Sequence, residues 1–408
     1  MYRQIEESQT LLINTQSKDL ELQNKKIIKF GFGQSPFMPP KLVLESLKNS
    51  VNHKEYTSVQ GDLDLRKYIS QFHNAHNGLK VLPDNILIAS GSKILIFNIL
   101  MSFKKADVFI ATPSWVSYAP QAKLAGHNII KLKTSFEERW RICPRVIRDA
   151  AKNKKNRVSI MIINYPGNPD GLTYNEEELK DLARVAKELN LLVISDEIYG
   201  LLNHDHEHKS FVNYYPERTI TTTGLSKWCG AGGWRFGAAF LYENIEPEFK
   251  QALIGIGSET YSCAPTPVQM AAKVAYQNYD KTLQYLKMQT NILKQIGTYC
   301  TEQLSLCKIL VHAPKGGFYL FPDFSIHKKK LHSRGINSSN ELCQQLLTET
   351  GVALLPASAF GFDQNYLAAR LAYVDFKDPK DQNSFDIKVD CPNVIIGIHK
   401  ICEWISKS

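Results

Sequence analysis

Short apolar runs alternate with amphipathic stretches from about residue 85, and this alternation constrains the fold more than any other feature of the sequence. The runs typical of strands are ILIAS 86–90, VFIAT 108–112, NIIKL 128–132, VSIMIIN 158–164, LLVIS 191–195, TITTT 219–223 and GAAFLY 237–242. Between two of them, residues 176–190 carry apolar side chains at spacings of three and four, as an amphipathic helix does. This pattern predicts an α/β fold with a mostly parallel, seven-stranded sheet that is buried on both faces.

The pattern changes after about residue 265. A long helical stretch from roughly 282 to 306 is followed by shorter and less uniform segments, which predict a smaller α+β domain. We expect a large domain at 46–290 and a small domain at 291–408, with residues 1–45 joining the small domain. No linker rich in proline, glycine and serine separates these parts, which favours a hinge over a flexible tether.

The composition excludes several classes of protein. Apolar residues make up 43% and charged residues 22%, which is ordinary for a folded globular protein and argues against disorder. No apolar run approaches the roughly 18 residues of a membrane-spanning helix, and no signal-peptide core is present, so we expect a cytoplasmic protein without membrane contact. The eight cysteines form no C-x-x-C pair, which is consistent with reduced thiols. The excess of 49 basic over 40 acidic residues is mild and suits small anions rather than nucleic acid.

The segment GLSKWCGAGGWRFG at 224–237 is the main candidate for chemistry, and it follows a predicted strand. A lysine amine such as that of Lys227 can form a Schiff base with a carbonyl compound when burial or nearby cations lower its pKa. The glycines allow another group to approach the backbone, and the planar guanidinium of Arg235 suits a phosphate. In isolation the same residues also fit a solvated turn, so the segment needs support from elsewhere in the chain.

Other predicted strand ends supply that support. Asp196 lies at the carboxyl end of a buried strand, which is the edge at which open α/β sheets bind ligands. ASGSK at 89–93 is a strand–turn–helix junction whose helix amino terminus can hold an anion. Trp115 lies at a further strand end, where its ring can stack on a flat ligand, and Asn168 follows another strand between turn-forming residues. Simpler interpretations stay open, namely a helix cap for Asp196, a turn for Asn168 and core packing for Trp115.

Together these segments resemble the class I/II aminotransferases, which are pyridoxal-phosphate enzymes with the aspartate aminotransferase fold. The resemblance runs from about residue 28 to the carboxyl terminus, with the motifs in the family's order. The lysine segment is its most specific part and departs from the family only at Phe236, where a smaller aliphatic residue, methionine or alanine is usual. A second departure is Gly-Gln-Ser-Pro at 33–36, where the family usually has Gly-Glu-Pro or a similar triplet.

The resemblance implies roles for individual residues. Lys227 would hold pyridoxal 5′-phosphate as a Schiff base and move the substrate's α-proton. Asp196 would pair with the pyridinium nitrogen, while Tyr199 and Asn168 would bond the phenolic oxygen. The other implied contacts are Trp115 on the cofactor ring, Ser92, Lys93, Ser226 and Arg235 at its phosphate, Tyr56 at the phosphate of the neighbouring subunit, and Gly33, Asn168 and Arg370 at the substrate, with Arg370 holding the α-carboxylate.

The implied function is that of a homodimeric aminotransferase, which moves an amino group from an amino acid to a 2-oxo acid in a ping-pong cycle. Carbon–sulfur β-lyases and cyclopropane-forming synthases of this fold keep the same lysine, aspartate and arginine, so they stay open as alternatives. A non-catalytic, ligand-sensing regulator is a further alternative, although only about 30 residues precede the resemblance, too few for the DNA-binding helices of such proteins. The motifs do not assign the amino donor, the acceptor, or a partner-subunit arginine that would select dicarboxylates.

Three further features fit simpler interpretations. Histidines alternate at 204, 206 and 208, as metal ligands on one extended face can, but no fourth ligand is obvious and we expect no metal site. The basic runs at 152–157 and 327–330 fall in predicted loops and are interpreted as solvated charge. Cys229, two residues past the lysine, is expected to be a packing residue.

Overall fold

The computed structural model describes residues 9–379 and 384–407. Its strands are β1 (Ile28–Lys29), β2 (Ile86–Ala89), β3 (Ala106–Thr112), β4 (Asn128–Lys133), β5 (Val158–Asn164), β6 (Leu192–Asp196), β7 (Thr219–Gly224), β8 (Gly237–Phe240), β9 (Tyr319–Leu320), β10 (Val352–Ala353), β11 (Leu355–Pro356) and β12 (Ala369–Ala372).

The α-helices are α1 (Gln9–Leu22), α2 (Lys41–Asn49), α3 (Leu63–Asn77), α4 (Ser92–Met101), α5 (Tyr118–Leu124), α6 (Pro144–Ala151), α7 (Glu176–Glu188), α8 (Pro247–Thr260), α9 (Thr266–Gln277), α10 (Tyr279–Leu306), α11 (Lys328–Ser333), α12 (Ser339–Thr350), α13 (Ile387–Asp390) and α14 (Pro392–Lys407). Within the described parts of the chain, none of these helices has the length and apolar character needed to cross a membrane.

Seven strands form the central sheet, in the order β2-β8-β7-β6-β5-β3-β4. The strands β3 to β7 pair in parallel, and β8 runs antiparallel to both β7 and β2. Alternate residues of β5 enter different cores: Ile160 and Ile162 pack on one face, and Met161 and Ile163 on the other. Because both faces are covered, almost every residue of the strands β2, β3, β5, β6, β7 and β8 is buried, and the predicted mostly parallel, seven-stranded sheet is confirmed.

The helix α7 shows how the sequence sets the ends of these elements. Asn175 accepts a hydrogen bond from the backbone of Glu178, whose carboxylate accepts one from the backbone of Asn175, and this capping box starts the helix. The helix ends at Glu188, two residues before the predicted end, because Asn190 takes the left-handed conformation with φ of +49°.

The register of the parallel strands places the candidate residues at one edge. Asn164, at the end of β5, pairs with Asp196 at the end of β6, and Asp196 pairs with Thr222 of β7. The strand β7 ends at Gly224, three residues before Lys227. Parallel strands end on the same side of a sheet, so the carboxylate and the lysine loop are neighbours.

A second, smaller sheet has the order β11-β12-β9 and is antiparallel. The strand β1 pairs in parallel with β10, matching Ile28 with Val352, so the amino-terminal segment joins the later part of the chain. The 28-residue helix α10 connects the large sheet to this region and packs against α14. The domain boundaries at 45 and 290 stay a prediction.

Candidate active site

Lys227 lies in the loop after β7, between elements of both sheets. Its Nζ donates a hydrogen bond of 2.7 Å to the carbonyl oxygen of Gly33. The same Nζ lies 5.6 Å from the ring centroids of both Tyr199 and Phe318. The amine is therefore half-enclosed by aromatic rings and faces the candidate site.

Asp196 is buried at the end of β6, with 3% of its surface exposed. Its Oδ2 accepts a 2.6 Å hydrogen bond from the Tyr118 hydroxyl, and its Oδ1 accepts one of 3.0 Å from Thr222. Burial raises the pKa of Asp196 to about 6, although these two donors lower it. No ion pair involves Asp196 within residues 9–379 and 384–407, so this buried carboxylate has neutral partners and suits a cationic ligand atom.

Arg370 is the most deeply buried cation of the site, with 1% of its surface exposed. It donates a 3.0 Å hydrogen bond to Asn168 Oδ1 and a 2.6 Å bond to the Gly31 carbonyl, while its Nε has no partner. Burial lowers the pKa of Arg370, an effect that Tyr319 and Tyr199 oppose. Since the described residues supply this guanidinium with only neutral acceptors, it is suited to a carboxylate that arrives with a ligand.

A second cluster of positive charge lies at the amino terminus of α4. Gly91, with φ of +101°, precedes Ser92, the first residue of the helix, and the Arg235 guanidinium packs directly against Gly91. Arg235 is solvent-exposed and donates to the Gly232 carbonyl at 2.9 Å. Helix amino termini and guanidinium groups both attract phosphate, so this cluster can bind an anion.

Lys93 and Trp115 lie beside this cluster. The Lys93 Nζ is 5.1 Å from the Trp115 ring centroid. Burial lowers the pKa of Lys93, and the charges of Arg235 and Lys227 lower it further. The Trp115 ring meets that of Tyr118 edge-to-face, with 5.2 Å between centroids, so it lies close to the carboxylate at 196. A flat ligand between these groups would contact both the ring and the carboxylate.

The remaining predicted residues occupy different surroundings. Ser226 is half-buried and directly precedes Lys227. Gly33 accepts the lysine's hydrogen bond and has no room for a side chain, because a Cβ there would overlap the hydroxyl of Tyr319. Tyr56 is 87% exposed and is not part of this cluster within one chain. Its role at a neighbouring subunit stays a prediction.

The three alternating histidines make separate contacts. Through Nε2, His204 bonds the Gly317 carbonyl, His206 bonds Thr290, and His208 bonds Glu197. No group of three metal-ligating side chains is found in the described part of the chain. The three histidines therefore stabilise the loop at 204–208 through hydrogen bonds to three different residues.

The sequence did not identify three side chains that shape the site, namely Tyr118, Thr222 and Tyr319. The first two bond Asp196, and the third has its hydroxyl 2.9 Å from that of Tyr199. Tyr118 follows the predicted strand at 108–112, whereas nothing in the sequence around Tyr319 indicated a role in the site.

Residues 25–374 match the family model described as aminotransferase class I and II. The chain belongs to this family. Curated relatives of this aminotransferase include the aspartate aminotransferase of Bacillus sp. strain YM-2, 31% identical over 362 residues, covering 87% of this chain and 89% of the relative. The asparagine–oxo-acid transaminase of Streptococcus mutans is 29% identical over 379 residues, covering 91% of this chain and 93% of the relative.

Solved structures agree with this assignment. The aminotransferase has a TM-score of 0.81 to the aspartate aminotransferase of Thermotoga maritima, at 25% identity and with 98% of each chain covered. The aspartate aminotransferase of Thermus thermophilus with maleate gives a TM-score of 0.84 at 24% identity, covering 98% of this chain and all of the other, and it supports the fold. The predicted fold and family are therefore confirmed.

Proposed function

We propose that this aminotransferase uses pyridoxal 5′-phosphate, held by Lys227 as a Schiff base, to move an amino group from an amino acid to a 2-oxo acid in two half-reactions. The observation that carries the proposal is the buried carboxylate of Asp196, which has only neutral partners one strand away from the lysine loop. A cationic ring nitrogen would supply the missing charge.

The residues present fit this cofactor. When bound, it supplies a conjugated cationic ring that takes up the electron pair left at the substrate's α-carbon. Asp196 would keep the ring nitrogen protonated, and Tyr199 and Asn168 would bond the phenolic oxygen. Trp115 would stack on the ring, and the cluster of Ser92, Ser226 and Arg235, together with Tyr56 of a second subunit, would bind the phosphate.

The chain's own groups would then handle the proton and the substrate. Arg370 would bind the α-carboxylate beside Asn168 and so fix the orientation of the α-carbon. Lys227 would take the α-proton on its amine and return a proton later in the cycle. The rings of Tyr199 and Phe318 near that amine would limit access of water.

We propose a dicarboxylic amino donor such as aspartate. The curated relatives include aspartate aminotransferases, which supports this substrate class. A second carboxylate needs a second cation. Lys93 lies beside the Trp115 ring, and no ion pair among the described residues involves it. We therefore propose Lys93 as the group that holds the side-chain carboxylate, in place of the predicted phosphate contact.

We also propose that the enzyme works as a homodimer in the cytoplasm. Exposed apolar side chains are concentrated in the segment that carries Tyr56: they are Met38, Leu42, Val51 and Leu63. Exposed apolar side chains gathered in one segment of the chain support a contact with another chain there. All eight cysteines are free, which supports a reducing compartment.

The proposal is tested by mixing the cofactor-loaded enzyme with aspartate alone. We expect the absorbance of the Lys227 Schiff base to convert to that of the aminated cofactor, and 2-oxoglutarate to restore it. Lys227→Ala should lose both the starting absorbance and turnover. Release of pyruvate and ammonia without an acceptor would instead indicate a β-lyase, and a protein that binds cofactor but responds to no donor would be a sensor. A panel of donors against 2-oxoglutarate, oxaloacetate and pyruvate then identifies the substrates.

A further inference from the structure

Tyr319 contacts both Tyr199, which is proposed to bind the cofactor, and Arg370, which is proposed to bind the substrate. It belongs to β9 and pairs with Ala372 of β12, the strand that carries Arg370. Only 1% of its surface is exposed. The antiparallel pairing therefore fixes a tyrosine ring beside the guanidinium that is proposed to hold the substrate.

The contacts of Tyr319 reach both groups. Its hydroxyl lies 2.9 Å from the hydroxyl of Tyr199, and its ring centroid lies 4.7 Å from the Cζ of Arg370. Its next acceptor is the carbonyl of Gly33, which is more distant at 3.5 Å. The short contact to Tyr199 is thus the main hydrogen bond of this hydroxyl.

The direction of that bond follows from the number of protons. Each hydroxyl has one proton to donate. If Tyr199 donates its proton to the phenolic oxygen of the cofactor, the bond between the two tyrosines must be donated by Tyr319. A hydroxyl that accepts a hydrogen bond is polarised and becomes a stronger donor. Tyr319 would therefore strengthen the bond that Tyr199 makes.

Resting on the proposed function, we propose that Tyr319 is a positioning residue with two actions. Its hydroxyl holds Tyr199 in the orientation that donates to the cofactor, and its ring holds the guanidinium of Arg370 for the substrate carboxylate. The same contacts explain why Gly33 must lack a side chain, since the Tyr319 hydroxyl fills that space.

The first action has a spectroscopic consequence. Negative charge on the phenolic oxygen favours the protonated form of the neighbouring imine nitrogen, and a donor to that oxygen withdraws charge, so the donor lowers the pKa of the imine. A hydrogen bond to a charged group shifts a pKa by roughly one to two units. A second hydrogen bond that polarises the donor changes the strength of the first by about 10–30%. Tyr319→Phe should therefore raise the pKa of the imine by roughly 0.1 to 0.6 unit.

The experiment titrates the absorbance of the holoenzyme against pH, without substrate, in four proteins. These are the wild type, Tyr319→Phe, Tyr199→Phe and the double variant. We expect the Tyr319→Phe shift to disappear in the Tyr199→Phe background, because Tyr319 acts through Tyr199. Equal titrations of wild type and Tyr319→Phe, or shifts that add in the double variant, would overturn the first action.

Tyr373→Phe is the matched control. Tyr373 is also fully buried, and its hydroxyl bonds the carbonyl of Gly317 at 3.3 Å rather than Tyr199. This variant removes a hydroxyl of the same kind nearby and should leave the titration unchanged. A wild type without imine absorbance would refute the proposed function itself, whereas a normal wild type with an unshifted Tyr319→Phe refutes only this inference.

The second action is separated by changing the ring. Succinate, an unreactive dicarboxylate, serves as the probe, and its dissociation constant is read from the same absorbance. Tyr319→Phe keeps the ring and should bind succinate within about twofold of wild type, whereas Tyr319→Leu should bind it roughly fivefold more weakly or worse. Equal affinities in the two variants would overturn the role of the ring.

Discussion

Asp196 combines a cost to folding with a use in binding. A carboxylate at 3% exposure loses most of its hydration, and the hydroxyls of Tyr118 and Thr222 replace only part of it. The raised pKa of about 6 is the direct sign of this imbalance. A ligand with a positive charge would compensate for the lost hydration of this carboxylate. The surroundings of Asp196 therefore favour the ionised carboxylate only when such a ligand is bound.

We predict that Asp196→Asn stabilises the cofactor-free protein near neutral pH. The folded-state pKa of about 6 exceeds the unfolded value of 3.8, so between these values the folded state binds more protons and its stability falls as pH rises. The gap between these two pKa values corresponds to a penalty of up to about 3 kcal/mol above pH 6. Asparagine cannot ionise, so the variant should escape this penalty.

Urea unfolding of both cofactor-free proteins at about pH 4 and pH 7.5 measures this effect. The gain of the variant should grow over that interval, while its affinity for the cofactor and its turnover fall steeply. A variant that is equally destabilised at both pH values would show that Asp196 is not strained in the empty site.

Lys93 gives a prediction about substrate choice. Lys93→Gln keeps a polar side chain, one atom shorter, but removes the charge that is proposed to hold the second carboxylate. The kcat/KM for aspartate should fall by about tenfold to a hundredfold, as expected for losing one charge-assisted hydrogen bond. The kcat/KM for alanine, which has no second carboxylate, should change little. A similar loss for both donors would instead place Lys93 at the phosphate, as the family resemblance implies.

At the scale of elements, the accuracy of the sequence-based prediction depended on element length. The strand at 158–164 and the start of the helix at 176 were predicted correctly, because buried strands of five to seven residues and capped helices leave clear patterns. The strands β1, β9, β10 and β11 have two residues each, too few to show a periodicity. Tyr319 was missed for this reason, since nothing in its two-residue strand distinguishes it from core.

Contacts between elements that are distant in the chain could also not be predicted from the sequence. The hydroxyl of Tyr118 meets Asp196 across 78 residues of chain, and Arg370 meets Asn168 across 202. The local sequence pattern predicts at which edge of the sheet a residue lies. Its hydrogen-bond partner at that edge depends on how the helices and sheets pack against each other. The family resemblance supplied the roles of Lys227 and Arg370, whereas their hydrogen-bond partners required the structure.

The helix α10 has a predicted effect on the lysine loop. Gln289 is fully buried and donates a 2.7 Å hydrogen bond to the carbonyl of Trp228, the residue that follows Lys227. Gln289→Leu would leave that carbonyl buried without this donor, which should cost about 1–3 kcal/mol of unfolding free energy. The looser loop should also weaken cofactor retention.

Gln295→Leu provides the control, because Gln295 lies on the same helix but is exposed to solvent. Thermal unfolding and cofactor release after dilution should change in the first variant and stay near wild type in the second. Equal behaviour of the two variants would show that the bond to Trp228 contributes nothing to the loop.

At the scale of the whole molecule, the site collects groups from three parts of the chain. Asp196 and Lys227 come from the edge of the large sheet, Arg370 from the small sheet, and the Gly33 carbonyl from the amino-terminal segment. Because α10 spans the connection between the sheets, a movement of the small sheet would carry Arg370 relative to Lys227. The hinge expected from the sequence would therefore act directly on the distance between substrate and lysine.

A shared site between two subunits predicts complementation. Tyr56→Ala and Lys227→Ala should each be nearly inactive alone, since one lacks the proposed phosphate contact from the neighbouring chain and the other lacks the amine. In a mixed dimer, the chain with Tyr56→Ala keeps its own lysine and receives Tyr56 from the other chain, so one of the two sites is native. Random exchange at equal amounts makes half of the dimers mixed, which restores about a quarter of the wild-type sites.

The measurement is turnover of the two variants after they are unfolded together and refolded, compared with the same variants refolded apart and then combined at assay. Recovery near a quarter of wild-type activity in the first sample alone requires that Tyr56 acts across the interface. Activity equal to the sum of the separate variants would mean that each site is built within one chain, and the exposure of Tyr56, 87% in a single chain, would then need another explanation.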